Sequence, residues 1–340
     1  MPRKKTKAGK KKSTPRKKTK EKPDFPIQVP RGTQDILPQE QKYWEYVIEM
    51  AKEVFRGWDY HRIDTPIFEE RELFNRAIGE DTDIVSKEMF ELKARGKGAS
   101  YALRPEGTAA LVRAYIEHGM RSWPKPVKLY YVGPFFRYDR PQAGRYRQLH
   151  QFGVEVFGAS GCAVSDVEVM YLFHLLFSQL GLEEYEFHVN SLGEKTERRA
   201  YIKVLKDHYR RNRQKLCREC KKRLTVNPLR VLDCKEEKCR QVANTSPRMM
   251  DYLSEENRKN FETVLSMLEG LEVPHKVEPS LVRGLDYYSK TVWEVVPALR
   301  GEVKGELSHK GSSQSSLAGG GRYDGLVKML GGRATTCLLY

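Results

Sequence analysis

Four arginines, Arg137, Arg140, Arg145 and Arg147, crowd the middle of the run Tyr131–Glu155. Before them, Lys128-Leu129-Tyr130-Tyr131-Val132 reads as a strand, and after them Gln148 to Val156 alternates polar and apolar residues as a second strand. A hairpin whose long loop carries Pro141, Gly144 and four guanidinium groups suits a branched anion, because each planar fork donates two parallel hydrogen bonds and keeps its charge. A solvated basic loop is the ordinary alternative. Gln151 and Glu155 share one face of the second strand and add polar groups beside the loop. For Glu155 alone, pairing with a structural arginine is the commoner role.

Three further sites could do chemistry. Glu106, between Pro105 and Gly107-Thr108, lies in a tight turn able to aim a carboxylate and a hydroxyl at one amine. Arg283 is presented from the largely apolar stretch Leu281-Val282-Arg283-Gly284-Leu285, where an idle guanidinium would be costly to bury, although Asp286 offers a local partner. Four of the six cysteines cluster as Cys217-x2-Cys220 and Cys234-x4-Cys239, compatible with tetrahedral zinc or with four reduced thiols in a charged insert. The run Gly319-Gly320-Gly321-Arg322-Tyr323-Asp324-Gly325 lacks the lysine and hydroxyl residue of a phosphate-binding P-loop, so its glycines are read as turns or as close backbone approaches to a pocket.

These residues need elements to hold them. Leu37-Pro38 opens a helix whose apolar positions Trp44, Val47, Ile48, Ala51 and Phe55 follow helical spacing up to Gly57. Tyr60 to Phe68 reads as a strand interrupted by Pro66, hence an edge or a bulge. A helix over Ser165–Leu180 has a capping box in Ser165 and Glu168 and a stop at Gly181. Tyr185–Val189 and Val292–Val296 read as strands, Gly193 to about Gly270 as a charged helical insertion, and 300–318 as a Gly/Ser-rich mobile connector.

The formal charge of +16 over 340 residues is concentrated at one end. Residues 1–23 hold ten lysines, two arginines and one glutamate, a net of +11, and the rest of the chain is nearly balanced. So lysine-rich a tail cannot bury a core and is expected to be disordered, either attracting RNA electrostatically or acting as a solubilising extension. The chain has no apolar run of membrane-spanning length and no apolar N-terminal segment, so a cytoplasmic protein is expected.

The arginine hairpin resembles motif 2 of class II aminoacyl-tRNA synthetases, in the form carried by histidyl-tRNA synthetase. Pro30-Arg31-Gly32-Thr33-Gln34-Asp35, Leu103-Arg104-Pro105-Glu106-Gly107-Thr108 and Leu281-Val282-Arg283-Gly284-Leu285-Asp286-Tyr287-Tyr288 agree with that family in order and spacing, and the resemblance covers about residues 26–335. It implies an α+β fold in which an antiparallel sheet is flanked by helices and carries a helical insertion. The domains would be a lysine-rich tail (1–24), a catalytic core with motifs 1 and 2 (25–192), an insertion with a possible zinc knuckle (193–270) and a continuation of the core (271–340).

The implied activity is ATP-dependent formation of histidyl-adenylate and transfer to tRNA(His), in a homodimer built through motif 1, the long helix and the strand after it. Arg137 and Arg283 would be catalytic on the α-phosphate, with Arg145 at the far end of the triphosphate and Mg²⁺ accompanying ATP. Glu106, Thr108 and Gln151 would hold the histidine α-amino group, and Glu155 and Tyr288, with Tyr287 nearby, would read the imidazole. Structural Zn²⁺ would sit on Cys217, Cys220, Cys234 and Cys239.

Where the family continues into motif 3 and an anticodon-binding domain, this chain reads Thr336-Cys337-Leu338-Leu339-Tyr340. A chain truncated before motif 3 is expected, its sheet incomplete and apolar surface exposed. Two alternatives follow: a non-catalytic synthetase-like histidine-binding regulatory subunit, or an inactive truncated synthetase. An RNA-binding protein using only the tail and the zinc knuckle would leave Glu106, Arg137, Glu155 and Arg283 unexplained.

Overall fold

The computed structural model describes residues 27–80, 82–93, 98–141, 145–159, 162–298 and 316–339. The lysine-rich tail, most of the expected 300–318 connector and the tip of the arginine loop lie outside the described residues.

Apolar spacing along α1 (Pro38–Gly57) buries Ala51, Val54 and Phe55 on one face. Phe55 meets Tyr130, Phe152 and Phe173 at ring-centroid distances of 5.5, 5.9 and 5.7 Å. Removing that ring would cost about 3–5 kcal/mol, so α1 is fixed to the sheet by its C-terminal half.

The expected strand over Tyr60–Phe68 divides in two. β1 (His61–Arg62) runs parallel to the first hairpin strand, whereas β2 (Phe68–Glu70) joins a separate three-stranded sheet. The buried Arg104 accounts for the break: its guanidinium donates to the Thr65 and Pro134 carbonyls at 2.9 and 3.0 Å and lies over the Phe135 ring. The small sheet is completed by β3 (Glu91–Leu92) and β4 (Tyr101–Leu103), with α2 (Arg71–Ile78) and α3 (Thr108–Glu117) beside it.

The arginine hairpin is formed by β5 (Val127–Phe136) and β6 (Gln148–Phe157), paired in unbroken antiparallel register from Val127↔Phe157 to Phe136↔Gln148. α4 (Cys162–Gln179) then crosses the sheet. It begins three residues before the expected capping box, leaving Ser165 inside the helix, while Glu168 pairs with Lys128 at 2.6 Å. A tertiary ion pair thus takes the carboxylate that a local cap would have used. Gly181, at φ +75°, ends the helical region as expected.

After β7 (Tyr185–Ser191), α5 (Lys195–Arg211), α6 (Arg218–Val226) and α7 (Glu237–Asn244) pack with the short turns between them around Tyr201, Leu205, Tyr209, Cys220, Cys239 and Leu253, a core of their own. α8 (Glu255–Gly270) instead sends Phe261, Val264 and Leu268 into the cluster shared by α1, α4 and the main sheet. Then follow β8 (His275–Val277), β9 (Ser289–Pro297), β10 (Ala318–Arg322), α9 (Leu326–Met329) and β11 (Cys337–Leu339). The main sheet has the order β1-β5-β6-β11-β10-β9-β7-β8, parallel only at its two outer pairings.

The expected gap in this sheet is bridged only at one end. β11 pairs antiparallel with β6 on one side and β10 on the other, joining the two halves through three residues. Opposite Gln148–Val154, β6 has no partner on that side among the described residues.

Candidate active site

The polar groups converge on one cavity of ≈ 1060 Å³, bounded by the β5–β6 hairpin, the start of α3, the Arg283–Tyr288 segment and the chain between α6 and α7. At its floor, the turn before α3 holds Glu106. The carboxylate accepts the backbone N–H groups of Thr108 at 2.8 Å and Ala109 at 2.9 Å, capping the helix by its first free donors. Tyr287 donates to Glu106 at 3.3 Å and reaches the Thr108 hydroxyl at 3.4 Å. Burial pushes the Glu106 carboxyl up, against the opposing pull of those two N–H groups. Gly107 is required here because a Cβ would lie 2.5 Å from the Tyr131 ring.

Glu155 is fully buried behind this group. One carboxylate oxygen accepts the Tyr323 hydroxyl, and the other, Oε1, is buried without a well-formed bond among the described residues, the Thr108 hydroxyl lying close enough only to pull the carboxyl slightly down. Burial holds its pKa well above the usual carboxylate range, and Glu106 pushes it the same way. An unpaired buried acceptor is costly unless a donor arrives. Gln151, four residues earlier, lines the cavity and is half-buried.

Of the four loop arginines, two line the cavity. Arg137 is aimed by a 2.9 Å bond from its Nε to the Pro105 carbonyl, so the turn that presents Glu106 also sets this guanidinium. Arg145 pairs with Asp139 at 3.0 Å and remains partly exposed. Arg147 is structural: it lies over the Tyr138 ring and donates to the Asp139 and Arg31 carbonyls. Its backbone N–H also reaches the Gly32 carbonyl at 2.6 Å, docking the Pro30–Asp35 segment on the loop, where Gly32 adopts φ +86°. Arg140 is not among the lining residues.

Arg283 enters from the opposite wall. It does not pair with Asp286, the local partner open in the sequence; it faces Glu294 of β9 at 3.8 Å and lies over the Tyr288 ring, and its buried Nε has no acceptor among the described residues. Gly319 of β10 makes room for it, since a Cβ there would sit 2.8 Å from the guanidinium carbon. At this one position the glycine-rich run serves an arginine, while Gly321 lets the strand pass close to the Thr291 carbonyl. Glu294 and the insertion residues Arg230 and Asp233 also line this site, Tyr323 stands behind it as the partner of Glu155, and of these only Tyr323, within the glycine run, stood near a motif.

A sequence model of the histidyl-tRNA synthetase family matches residues 32–338. The chain belongs to the histidyl-tRNA synthetase family. A histidine–tRNA ligase from Dehalococcoides mccartyi is 47% identical over 311 residues, 92% of this chain and 71% of that protein. One from Geobacillus sp. is 46% identical over 310 residues, with 91% and 71% covered. The chain thus spans about 70% of the length of these family members. Apo S. aureus histidyl-tRNA synthetase superposes at a TM-score of 0.70 with 38% identity, covering 92% of this chain and 70% of that one. A Bacillus halodurans ATP phosphoribosyltransferase regulatory subunit/histidyl-tRNA synthetase, at 22% identity and TM-score 0.66 over 93% and 80% of the two chains, shares the fold. The antiparallel sheet flanked by helices is the fold of this family, as the sequence led one to expect.

Proposed function

We propose that this chain joins histidine to ATP, forming histidyl-adenylate and releasing pyrophosphate, and passes the histidyl group to the 3′ end of tRNA(His), releasing AMP. The observation carrying this reading is the polarity of the cavity. Buried Glu106 with Tyr287 and Tyr288 lines one part of it, and the cations Arg137, Arg145 and Arg283 stand around that part. Attack of an amino-acid carboxylate on the α-phosphate brings two anions together, so the cations belong where charge accumulates.

In this reading Glu106, Thr108 and Gln151 hold the ammonium group, and Tyr287 orients Glu106. Glu155 with its unpaired Oε1 and Tyr288 read the imidazole. Arg137 and Arg283 contact the α-phosphate from opposite walls, and Arg145 holds the distal phosphates of Mg²⁺-bound ATP. Glu294 keeps Arg283 aimed while the pocket is empty. The arginines and the high identity to histidine–tRNA ligases weigh against a regulatory subunit. Two copies would associate through the exposed aromatic residues Tyr43 and Tyr46 of α1 and Phe68 of β2, in the motif 1 region.

The four cysteines fit a thiophilic divalent cation. Their sulfurs all lie within 4.8 Å of one another, close to the spacing of about 3.8 Å that tetrahedral zinc thiolate bonds impose. Three of the four residues are buried. Zinc there would stabilise the insertion and take no part in chemistry.

The test is histidine-dependent exchange of labelled pyrophosphate into ATP by the purified chain, with Arg283→Ala as control. Exchange that requires histidine and collapses in the control supports the reading. Absence of exchange from a folded protein, or exchange driven equally by other amino acids, overturns it.

A further inference from the structure

We infer that the four-cysteine cluster is a metal-held brace for the wall of the active-site cavity. The inference rests on the zinc assignment just proposed. Cys217 caps α6 and Cys220 lies in its first turn, while Cys234 and Cys239 follow the turn Pro228–Val231. Cys217 accepts from the Cys220 N–H at 3.4 Å and donates its own N–H to the Cys239 sulfur at 3.2 Å, and its sulfur lies 4.0 Å from that of Cys234. Backbone donors already aimed at sulfur are the surroundings a metal-bound thiolate needs.

The chain between the second and third cysteines closes a loop, and the outer part of that loop touches the catalytic core. Asn227 donates to Asp286 at 3.1 Å. Arg230 faces Asp83 at 3.8 Å and lies beside Gly284, where a Cβ would be in ordinary contact with it at 3.6 Å. Asp83 precedes the cavity-lining Ile84, and Gly284 and Asp286 belong to the segment that carries Arg283, Tyr287 and Tyr288. Cys217 and Cys234 themselves border the cavity.

These contacts are few and polar, and each would be weak alone. They hold a wall only if the loop that bears them is itself fixed. Helices α6 and α7 are nine and eight residues long, too short to be rigid by themselves. A metal bound to both ends of the loop supplies that rigidity. Loss of the metal frees Asn227 and Arg230 from the core and releases the Asp83 and Arg283–Tyr288 segments, while the β5–β6 hairpin stays intact.

The experiment uses the full chain. Zinc per chain is measured for the protein as purified and after titration with Zn²⁺ alone. Amide hydrogen exchange over 82–92 and 281–288 and the calorimetric Kd for histidine are then measured for the wild type, Cys239→Ser and the double variant Asn227→Ala/Arg230→Ala. Cys239→Ser is expected to lose zinc, exchange faster in both segments with the hairpin unchanged, and bind histidine roughly 10-fold more weakly. The double variant keeps its zinc and shows the same exchange and affinity.

A chain that takes up no zinc overturns both the zinc assignment and the brace. A chain that binds zinc, but whose double variant keeps wild-type protection in the two segments, overturns the brace alone. Should Cys239→Ser fail to fold, the double variant decides. The exchange measurement needs no ligand, so it stands even if histidine proves not to bind.

Discussion

The two ends of the cavity are built by opposite means. At the carboxylate end, Glu106, Thr108 and Tyr287 are buried and joined by hydrogen bonds to one another or to the first turn of α3, with Glu155 buried behind them on Tyr323. At the arginine end, Arg145 and Asp139 are both partly exposed, and Arg137 is tethered by a single bond to a carbonyl. A rigid, dry end suits discrimination, because a ligand lacking the right donors leaves buried acceptors unpaired. An open end suits a triphosphate that must enter and leave with its solvated cations. Arg283 is the exception that joins the two, being cationic yet enclosed between Tyr288, Glu294 and Gly319.

That contrast can be broken in graded ways. Arg283→Ala should lower pyrophosphate exchange roughly 10²- to 10³-fold, while calorimetric affinity for histidine changes little. A comparable loss of histidine binding would place this arginine at the other end. Glu106→Gln should weaken histidine binding by about 1.5–3 kcal/mol, the worth of a charge-assisted hydrogen bond, with little change in ATP affinity. Unaltered histidine affinity would reduce Glu106 to a helix cap.

Arg145→Ala should raise KM for ATP less than about 10-fold, as partly screened pairs do. The same change at Arg140, off the cavity, should stay within about twofold, surface substitutions being worth about 0.5 kcal/mol or less. Equal effects would mean the loop acts as a diffuse cationic cloud, and exchange assays in rising salt would show it.

The smallest effect concerns stability. The Glu155 carboxyl is raised above its ordinary value of 4.5, so the fold favours its protonated form. Its contribution is therefore most favourable below the ordinary value and is lost as pH rises toward the folded one. Glu106, Tyr287, Tyr323 and Cys337 lie near it, and the charge of Glu106 pushes it in the same direction as burial. In denaturant titrations of the ligand-free protein, wild-type stability should fall with pH above 4.5 by at most about 1.4 kcal/mol per pH unit for one proton. Glu155→Gln should flatten that slope. An unchanged slope would assign the proton to Glu106.

Much of this was legible in the sequence where the physics is local. The apolar spacing of α1 and the alternation of β6 set those elements without help from the rest of the chain. Glu106 could be read from its turn. The failures involve partners far away in sequence. Ser165 and Glu168 have the spacing of a cap, but Lys128 claims the carboxylate. Asp286 is three residues from Arg283, yet Glu294 on the neighbouring strand is the residue that faces it. Four arginines in one loop look equivalent until Tyr138 takes Arg147 into a stacked contact. Tyr323 carried no chemical signature, because a tyrosine becomes a carboxylate partner only when the sheet brings it there.

The close fit of Gly319 against Arg283 has a consequence for descent. A Cβ at position 319 would lie 2.8 Å from the guanidinium carbon, at the far end of a side chain that can swing aside. A residue larger than glycine there would therefore re-aim the guanidinium without breaking the sheet. The two positions should vary together, because a change at 319 is felt first at the tip of Arg283.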